Sequence, residues 1–128
     1  MTPIPFTLLK ETFNIHRLPP DAAVPKGVLE SPFFAVVRTR EELSIVVPAA
    51  VKLAGTEREA GWAGIRVLGP LDFGLTGILA GMAGALAEEG ISIFAVSTFD
   101  TDYILFKEAV TARAIEALTA AGYQYIDN

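Results

Sequence analysis

The sequence predicts an α+β fold, in which the N-terminal half is mostly sheet and the C-terminal half alternates strands with helices. Two observations favour it. After Leu75, apolar residues recur with the period of a helix buried on one face, at Ile78, Leu79, Met82 and Leu86. Elsewhere, short runs of β-branched and aromatic residues are bounded by turn-forming residues, as is typical of strands.

The N-terminal half contains four runs that are typical of strands. They are predicted over Phe6–Glu11, Phe13–Leu18, Phe33–Arg38 and Leu43–Val47. The three prolines of LPPDAAVPKG, between the second and third runs, disfavour a long helix. Residues 48–61 are small and polar, and we predict a linker or a short helix with a loop there. The division into lobes is therefore predicted here, with residues 1–60 before it and residues 61–128 after it.

The C-terminal half has a clearer pattern. In chain order we predict a strand at Gly64–Leu68, a helix from Leu75 to Gly90, strands at Ile91–Thr98 and Tyr103–Glu108, a helix capped by Thr111 with Ile115 and Leu118 inward, and a final strand at Tyr123–Ile126. Gly81 and Gly84 are poor helix formers, so we expect a close approach of the helix to the sheet at both. The order β-α-β-β-α-β is that of ferredoxin-like folds.

Composition excludes several classes of function. Hydrophobic residues make up 52% of the chain and charged residues 20%, yet no run approaches the roughly 18 apolar residues of a membrane helix. This excess predicts a compact core and a subunit interface, so we expect a homodimer. The net charge is −5 and the basic residues are scattered, which argues against a nucleic-acid partner.

Few residues suit metal or nucleophilic chemistry. The chain has no cysteine and one histidine, His16, which we expect to be a surface or fully hydrogen-bonded residue. We therefore expect no metal and no cofactor. The first residues lack the pattern of a signal peptide, so the expected location is the cytoplasm.

One segment resembles a known family. The glycine, helix and strand pattern of the ACT domain is matched by Gly77-Ile78-Leu79, by Gly84 seven residues on, and by Gly90-Ile91-Ser92-Ile93. Residues 69–108 resemble the branch that includes cytosolic arginine-sensing proteins of animals and short bacterial homologues. The resemblance implies a ferredoxin-like ACT domain at residues 61–128, preceded by a reduced, mostly β ACT-like lobe at residues 1–60.

The loop LDFGLTG before the first long helix is a candidate ligand site. A free amino acid needs N–H donors for its carboxylate, and a helix N-terminus offers them, here at Gly77 and Ile78. Gly74 and Gly77 would let a ligand approach the backbone, although turn geometry alone also explains both glycines. Many ACT domains have an acidic residue and a proline just before the glycine equivalent to Gly77, whereas here the acidic candidate, Asp72, is five residues earlier.

The second candidate part of the site is the segment STFDTD. The resemblance implies that Thr98 and Phe99 border the ligand with backbone groups and that Asp102 offers a carboxylate to its ammonium or guanidinium group. An Asx-type turn that only shapes the hairpin is the alternative. Ser92 stands where an asparagine of the wider family reaches a ligand bound by the neighbouring subunit, or it is a solvent-facing residue.

Three functions remain to be compared. The first, which the resemblance favours, is a non-catalytic regulatory module that binds an amino acid or a similar small metabolite at a lobe or subunit interface. The second is a structural dimerisation or adaptor protein without a ligand. The third is an enzyme that uses Asp72, Asp100 or Asp102 as acid and base, which we set aside because the sequence offers no nucleophile, metal cluster or phosphate loop.

Overall fold

The computed structural model describes residues 3–69 and 76–127. Within these ranges the elements are β1 (Pro5–Leu8), β2 (Phe13–Leu18), α1 (Lys26–Leu29), β3 (Ala35–Arg38), β4 (Leu43–Pro48), β5 (Glu57–Val67), α2 (Ile78–Glu88), β6 (Phe94–Ser97), β7 (Asp102–Lys107), α3 (Thr111–Ala120) and β8 (Gln124–Tyr125). No helix among these has the length and apolar character needed to cross a membrane.

The chain forms two compact units. The N-terminal unit is Glu11–Trp62, and the C-terminal unit contains the first ten residues together with the chain from Ala63 onward. The sequence placed the first ten residues with residues 11–60, and the structure differs because β1 pairs within the C-terminal unit. Phe6 lies opposite Val67 of β5 in an antiparallel pair and beside Tyr125 of β8 in a parallel pair.

The N-terminal unit is a sheet with one apolar face covered by irregular segments. Its strand order is β3–β4–β2–β5. Leu18, Leu43, Ile45 and Val47 point to one face and pack with Val28 of α1. Helix α1 has only four residues and follows Pro25, in agreement with the effect expected of the prolines.

Strand β5 corrects the prediction for residues 48–61. Residues 49–56 form neither helix nor strand, as expected of a linker, but β5 begins at Glu57 and continues for 11 residues to Val67. Its first four residues are charged or small and exposed, so the sequence lacks the alternation that marks a half-buried strand. Opposite β2, the register shifts between Phe13 and Ile15, and Gly61 has a φ of +80°. This combination is a β-bulge with glycine in the left-handed conformation.

The C-terminal unit has the predicted order of elements. From β5 to β8 the chain runs β-α-β-β-α-β, β7 pairs with both β5 and β6, and β1 lies between β5 and β8. Helices α2 and α3 pack on this sheet and enclose the main apolar core. The core includes Phe6, Ile65, Val67, Met82, Leu86, Ile104, Phe106, Ala114 and Leu118.

Helix α2 confirms most of the pattern that predicted it. Met82 and Leu86 are fully buried, and Gly90 follows the helix with a φ of +69°. A Cβ at Gly81 would clash with the hydroxyl oxygen of Tyr123, whereas a Cβ at Gly84 would have nothing within 4 Å. The close approach therefore exists at Gly81, against a tyrosine that follows α3, and the expectation for Gly84 is wrong.

Helix α3 begins differently from the prediction. Thr111 is its first helical residue instead of its cap, because a turn of 3-10 helix at Glu108–Val110 leads directly into it. The Thr111 hydroxyl donates to the Glu108 carbonyl at 2.7 Å. Leu118 is buried and Ile115 half-buried, so the inward face is as predicted.

The two glycines of α2 provide a matched pair of substitutions. Gly84→Ala should raise the free energy of unfolding by about 1 kcal/mol, because alanine favours the helix and the added methyl group meets no neighbour. Gly81→Ala should lower it, because the methyl group displaces the Tyr123 hydroxyl, and adding Tyr123→Phe should recover part of the loss. Urea denaturation checks this. Equal effects of the two alanines would contradict the packing described.

Candidate functional site

The entrance of α2 carries N–H groups that have no partner within the helix. Gly77 is the N-cap residue, with a φ of +81° and no capping side chain among the described residues. The first intrahelical hydrogen bond is donated by the Gly81 N–H to the Gly77 carbonyl at 2.8 Å, so the N–H groups of the first turn from Ile78 have no helical partner. They carry the positive end of the helix dipole. The predicted residues Asp72 and Gly74 lie outside the described residues.

The turn between β6 and β7 is held by threonine hydrogen bonds. The Thr98 N–H donates to the Thr101 carbonyl at 2.8 Å, and the Thr101 N–H donates to the Thr98 hydroxyl at 3.2 Å. The buried Thr101 hydroxyl donates to the Val67 carbonyl at 2.6 Å. The predicted turn is therefore present, and it is fixed to the carboxyl end of β5.

Asp102 is the first residue of β7 and lies opposite Ser97 of β6. The Ser97 hydroxyl donates to Oδ1 of Asp102 at 2.7 Å. A carboxylate accepts about four hydrogen bonds, so this one leaves most of its capacity for a ligand. In the same turn, the Phe99 side chain is 80% exposed.

The connections place Gly77 and Asp102 at the same end of the sheet. The turn before Asp102 is bonded to Val67, where β5 ends. Helix α2 then leads the chain back toward Phe94, at the other end of β6. Its first residue therefore lies at the Val67 end of the sheet.

Ser92 lies at the opposite end of the sheet from the turn. It is exposed and precedes Phe94, which pairs with Leu105, while the turn follows the pair of Ser97 and Asp102. The structure therefore does not bring Ser92 of the same chain together with Asp102.

The sequence did not indicate Ser97 as a contact of Asp102. Ser97 becomes the partner of Asp102 only through the strand register. Thr101 belongs to the turn in which aspartate and threonine side chains were expected to bond the backbone, and its hydroxyl does so.

A cleft elsewhere in the C-terminal unit is separate from these residues. An open cleft beyond the end of α2 is lined by Glu89, Arg113, Glu116, Ala117 and Ala120, none of which the sequence predicted as a ligand contact. Over residues 3–69 and 76–127, no three histidine, aspartate or glutamate side chains lie close enough together to hold a metal ion.

Fold and connectivity define the C-terminal unit as a ferredoxin-like domain in which α2 begins near the carboxyl end of β5. The family model of the ACT domain matches residues 57–120, which is half of the chain. The chain belongs to the ACT domain family, as the pattern around Gly77 and Gly90 indicated.

Curated relatives of this chain include proteins named as arginine sensors. The chain is 35% identical over 124 residues to the cytosolic arginine sensor for mTORC1 subunit 1 of Mus musculus and 34% identical over 122 residues to its Homo sapiens counterpart. Both alignments cover 88% of this chain and 37% of the relative. The chain thus spans little more than a third of the length of these proteins.

Solved structures share the whole fold. A crystal structure of a protein from Agrobacterium tumefaciens matches with a TM-score of 0.91 and 30% identity, covering 100% of this chain and 96% of that one. The regulatory subunit of aspartate kinase from Thermus thermophilus matches with a TM-score of 0.66 and 13% identity, covering 91% and 96% of the two chains. At that identity the second likeness shows the fold alone.

The buried threonine should hold the turn in place. Thr101→Val keeps the shape of the side chain but leaves the Val67 carbonyl without its donor, so the free energy of unfolding should fall by about 1–3 kcal/mol. The exposed Ser97→Ala should change it by less than about 0.5 kcal/mol. Urea denaturation of both variants measures the difference. If Thr101→Val leaves the free energy of unfolding unchanged, this hydrogen bond does not stabilise the turn.

Proposed function

We propose that this chain is a non-catalytic regulatory module of the cytoplasm that binds an amino acid or a similar small metabolite. The observation that supports this proposal is that the N-cap residue Gly77 lies at the same end of the sheet as the Asp102 carboxylate. Donors and an acceptor suit the carboxylate and the ammonium of a zwitterion. Family membership and relatives named as arginine sensors support the same function.

The proposed ligand lies between the helix entrance and the turn. Its carboxylate accepts from the N–H groups at Gly77 and Ile78, and its ammonium or guanidinium group donates to Asp102. The Thr98 N–H already donates within the turn, so Thr98 contributes its carbonyl oxygen. The exposed Phe99 covers the ligand's side chain, and Asp72 and Gly74 belong to the proposed contacts through the loop that carries them.

The N-terminal unit is proposed to be the reduced ACT-like lobe that the sequence predicted. Its first three strands are ordered β3–β4–β2, and those of the β-α-β-β-α-β part of the C-terminal unit are ordered β6–β7–β5. In both cases the third strand lies between the second and the first. The N-terminal unit keeps this topology with one short helix, α1, between β2 and β3. It has no helix between β4 and β5.

A homodimer is proposed to complete the ligand site. Several large apolar side chains are 39–80% exposed in a single chain: Leu29, Phe34, Val37 and Phe99. Their exposure favours burial by a partner. Ser92 is remote from Asp102 of its own chain, so it takes part in the site only from a second copy.

Sedimentation velocity tests this assembly. At micromolar concentration the protein should sediment as a dimer, because its exposed apolar side chains then become buried. If the protein is a monomer at all concentrations up to about 100 μM, any dimer associates far more weakly than typical specific complexes do. That result would remove the dimer and with it the role of Ser92.

A thermal-shift screen of the twenty amino acids tests ligand binding. A ligand that binds only the folded protein stabilises it by RT ln(1 + [L]/Kd), so at least one amino acid should raise the melting temperature in a concentration-dependent way. If none does, and native mass spectrometry finds no co-purified metabolite, the protein is instead the ligand-free adaptor.

Substitutions in the turn then locate the site. Asp102→Ala should weaken the ligand found in the screen by about 10-fold or more, the effect of losing a charge-assisted hydrogen bond. Asp100→Ala removes the same charge from the same turn and should bind as the wild type does. Ser97→Ala frees Oδ1 of Asp102 and should not weaken binding. Calorimetry with equal losses for Asp100→Ala and Asp102→Ala would contradict this location.

Gly77 requires a more careful substitution than a bulky one. Gly77→Val should weaken the ligand, but the positive φ of this residue makes valine destabilising as well. Asparagine tolerates this conformation, so Gly77→Asn should keep the fold and still obstruct the backbone donors. Unchanged affinity in a folded Gly77→Asn protein would remove the helix entrance from the site.

A further inference from the structure

His16 is buried inside the N-terminal unit, where the sequence predicted a surface or fully bonded histidine. It is 1% exposed, and in β2 it lies opposite Ile45 of β4 and Arg58 of β5. Opposite residues in antiparallel strands share a face. His16 therefore points to the face on which Leu18 and Ile45 form the apolar cluster of this unit.

Among the residues that the structure describes, only one nitrogen of this imidazole has a hydrogen-bond partner. Nδ1 lies 2.7 Å from the Thr56 hydroxyl, just before β5 begins. Nε2 is buried and has no hydrogen-bond partner among the described residues. The neutral ring can leave Nε2 as an unprotonated acceptor, whereas the charged ring carries a proton on both nitrogens and requires a second acceptor.

The charges around His16 do not favour its protonation. On the same face, β4 has no titratable residue, β5 contributes Arg58 and β3 contributes Arg38. Glu57 and Glu59 of β5 alternate to the other face. The segments that cover the cluster carry Asp21, Lys26, Glu30 and Lys52, all of them exposed. A proton on Nε2 would thus create a buried charge that no carboxylate of the described residues pairs with.

We propose that the N-terminal unit is an acid-sensitive switch, in which protonation of His16 opens the sheet face on which it lies while the C-terminal unit keeps its fold at the same pH. The chain has no other histidine. Since histidine is the side chain whose ordinary titration falls between about pH 5 and 8, the two units differ in their response over this range.

The direction of the pH dependence follows from linkage. Burial lowers the pKa of His16 below its ordinary value of 6.5, and the positive charge of Arg58 lowers the pKa further. The opened unit, with the ordinary pKa, then binds the proton more tightly than the closed unit. The stabilisation from neutral His16 is present above pH 6.5 and is lost as the pH falls toward the lowered pKa.

Residue-resolved amide hydrogen exchange from about pH 8 to about pH 5 tests the switch, with the single imidazole followed in the same samples by NMR. Below pH 6.5, the protection factors of β2 and β4 should fall by about tenfold per pH unit until the lowered pKa is reached. The protection factors of α2 and α3 should not fall with them.

Two variants separate titration from packing. His16→Gln retains a polar group toward Thr56 but does not titrate in this range, so the acid-induced loss of protection should disappear. Arg58→Gln removes the smaller cause of the lowered pKa and should retain most of that loss. An imidazole that titrates at 6.5 or above in the folded protein, or the same loss of protection in His16→Gln, would overturn the proposal. If His16→Gln does not fold, the wild-type imidazole titration decides alone.

Discussion

Burial of α2 against the sheet of the C-terminal unit is the constraint on which the proposed site depends. Met82 and Leu86 are fully buried by this contact, which fixes the rotation and height of the helix. Helix α2 begins at Ile78, directly after Gly77, whose positive φ lets the chain enter the first turn without a capping side chain from the described residues. The same packing that stabilises the domain therefore places the first turn of α2 at one end of the sheet.

A second constraint acts through the turn between β6 and β7. The Thr101 hydroxyl donates to the last carbonyl of β5, which ties the turn to the strand that leads toward α2. Asp102 takes its position from this turn and from Ser97 across the strand pair. Acceptor and donors are thus held by one core, which is the preorganisation that a small ligand requires.

The sequence predicted those elements that have a strong period or distinctive turn residues. Helix α2 followed from the spacing of Met82 and Leu86, and its termination from Gly90. The beginning of β5 could not be predicted in this way, because its first residues are exposed and polar and are held by pairing with β2. Local pattern carries no information about such a partner.

The same limit applies to the site and to His16. The STFDTD segment indicated a turn and a carboxylate, but only the strand register shows that Ser97 already bonds Asp102 and that Ser92 lies at the other end of β6. Burial of His16 likewise depends on the segments that cover the N-terminal sheet. A single polar residue in a strand does not reveal which face will be enclosed.

The central claim is that an amino acid binds where the entrance of α2 meets the turn before β7. NMR of the backbone amides tests it most directly, during titration with the free amino acid that raises the melting temperature of the protein. The account predicts saturable shifts centred on Gly77, Ile78 and the amides from Thr98 to Asp102. Shifts centred instead on Glu89 and Arg113, in the cleft beyond the other end of α2, would contradict it.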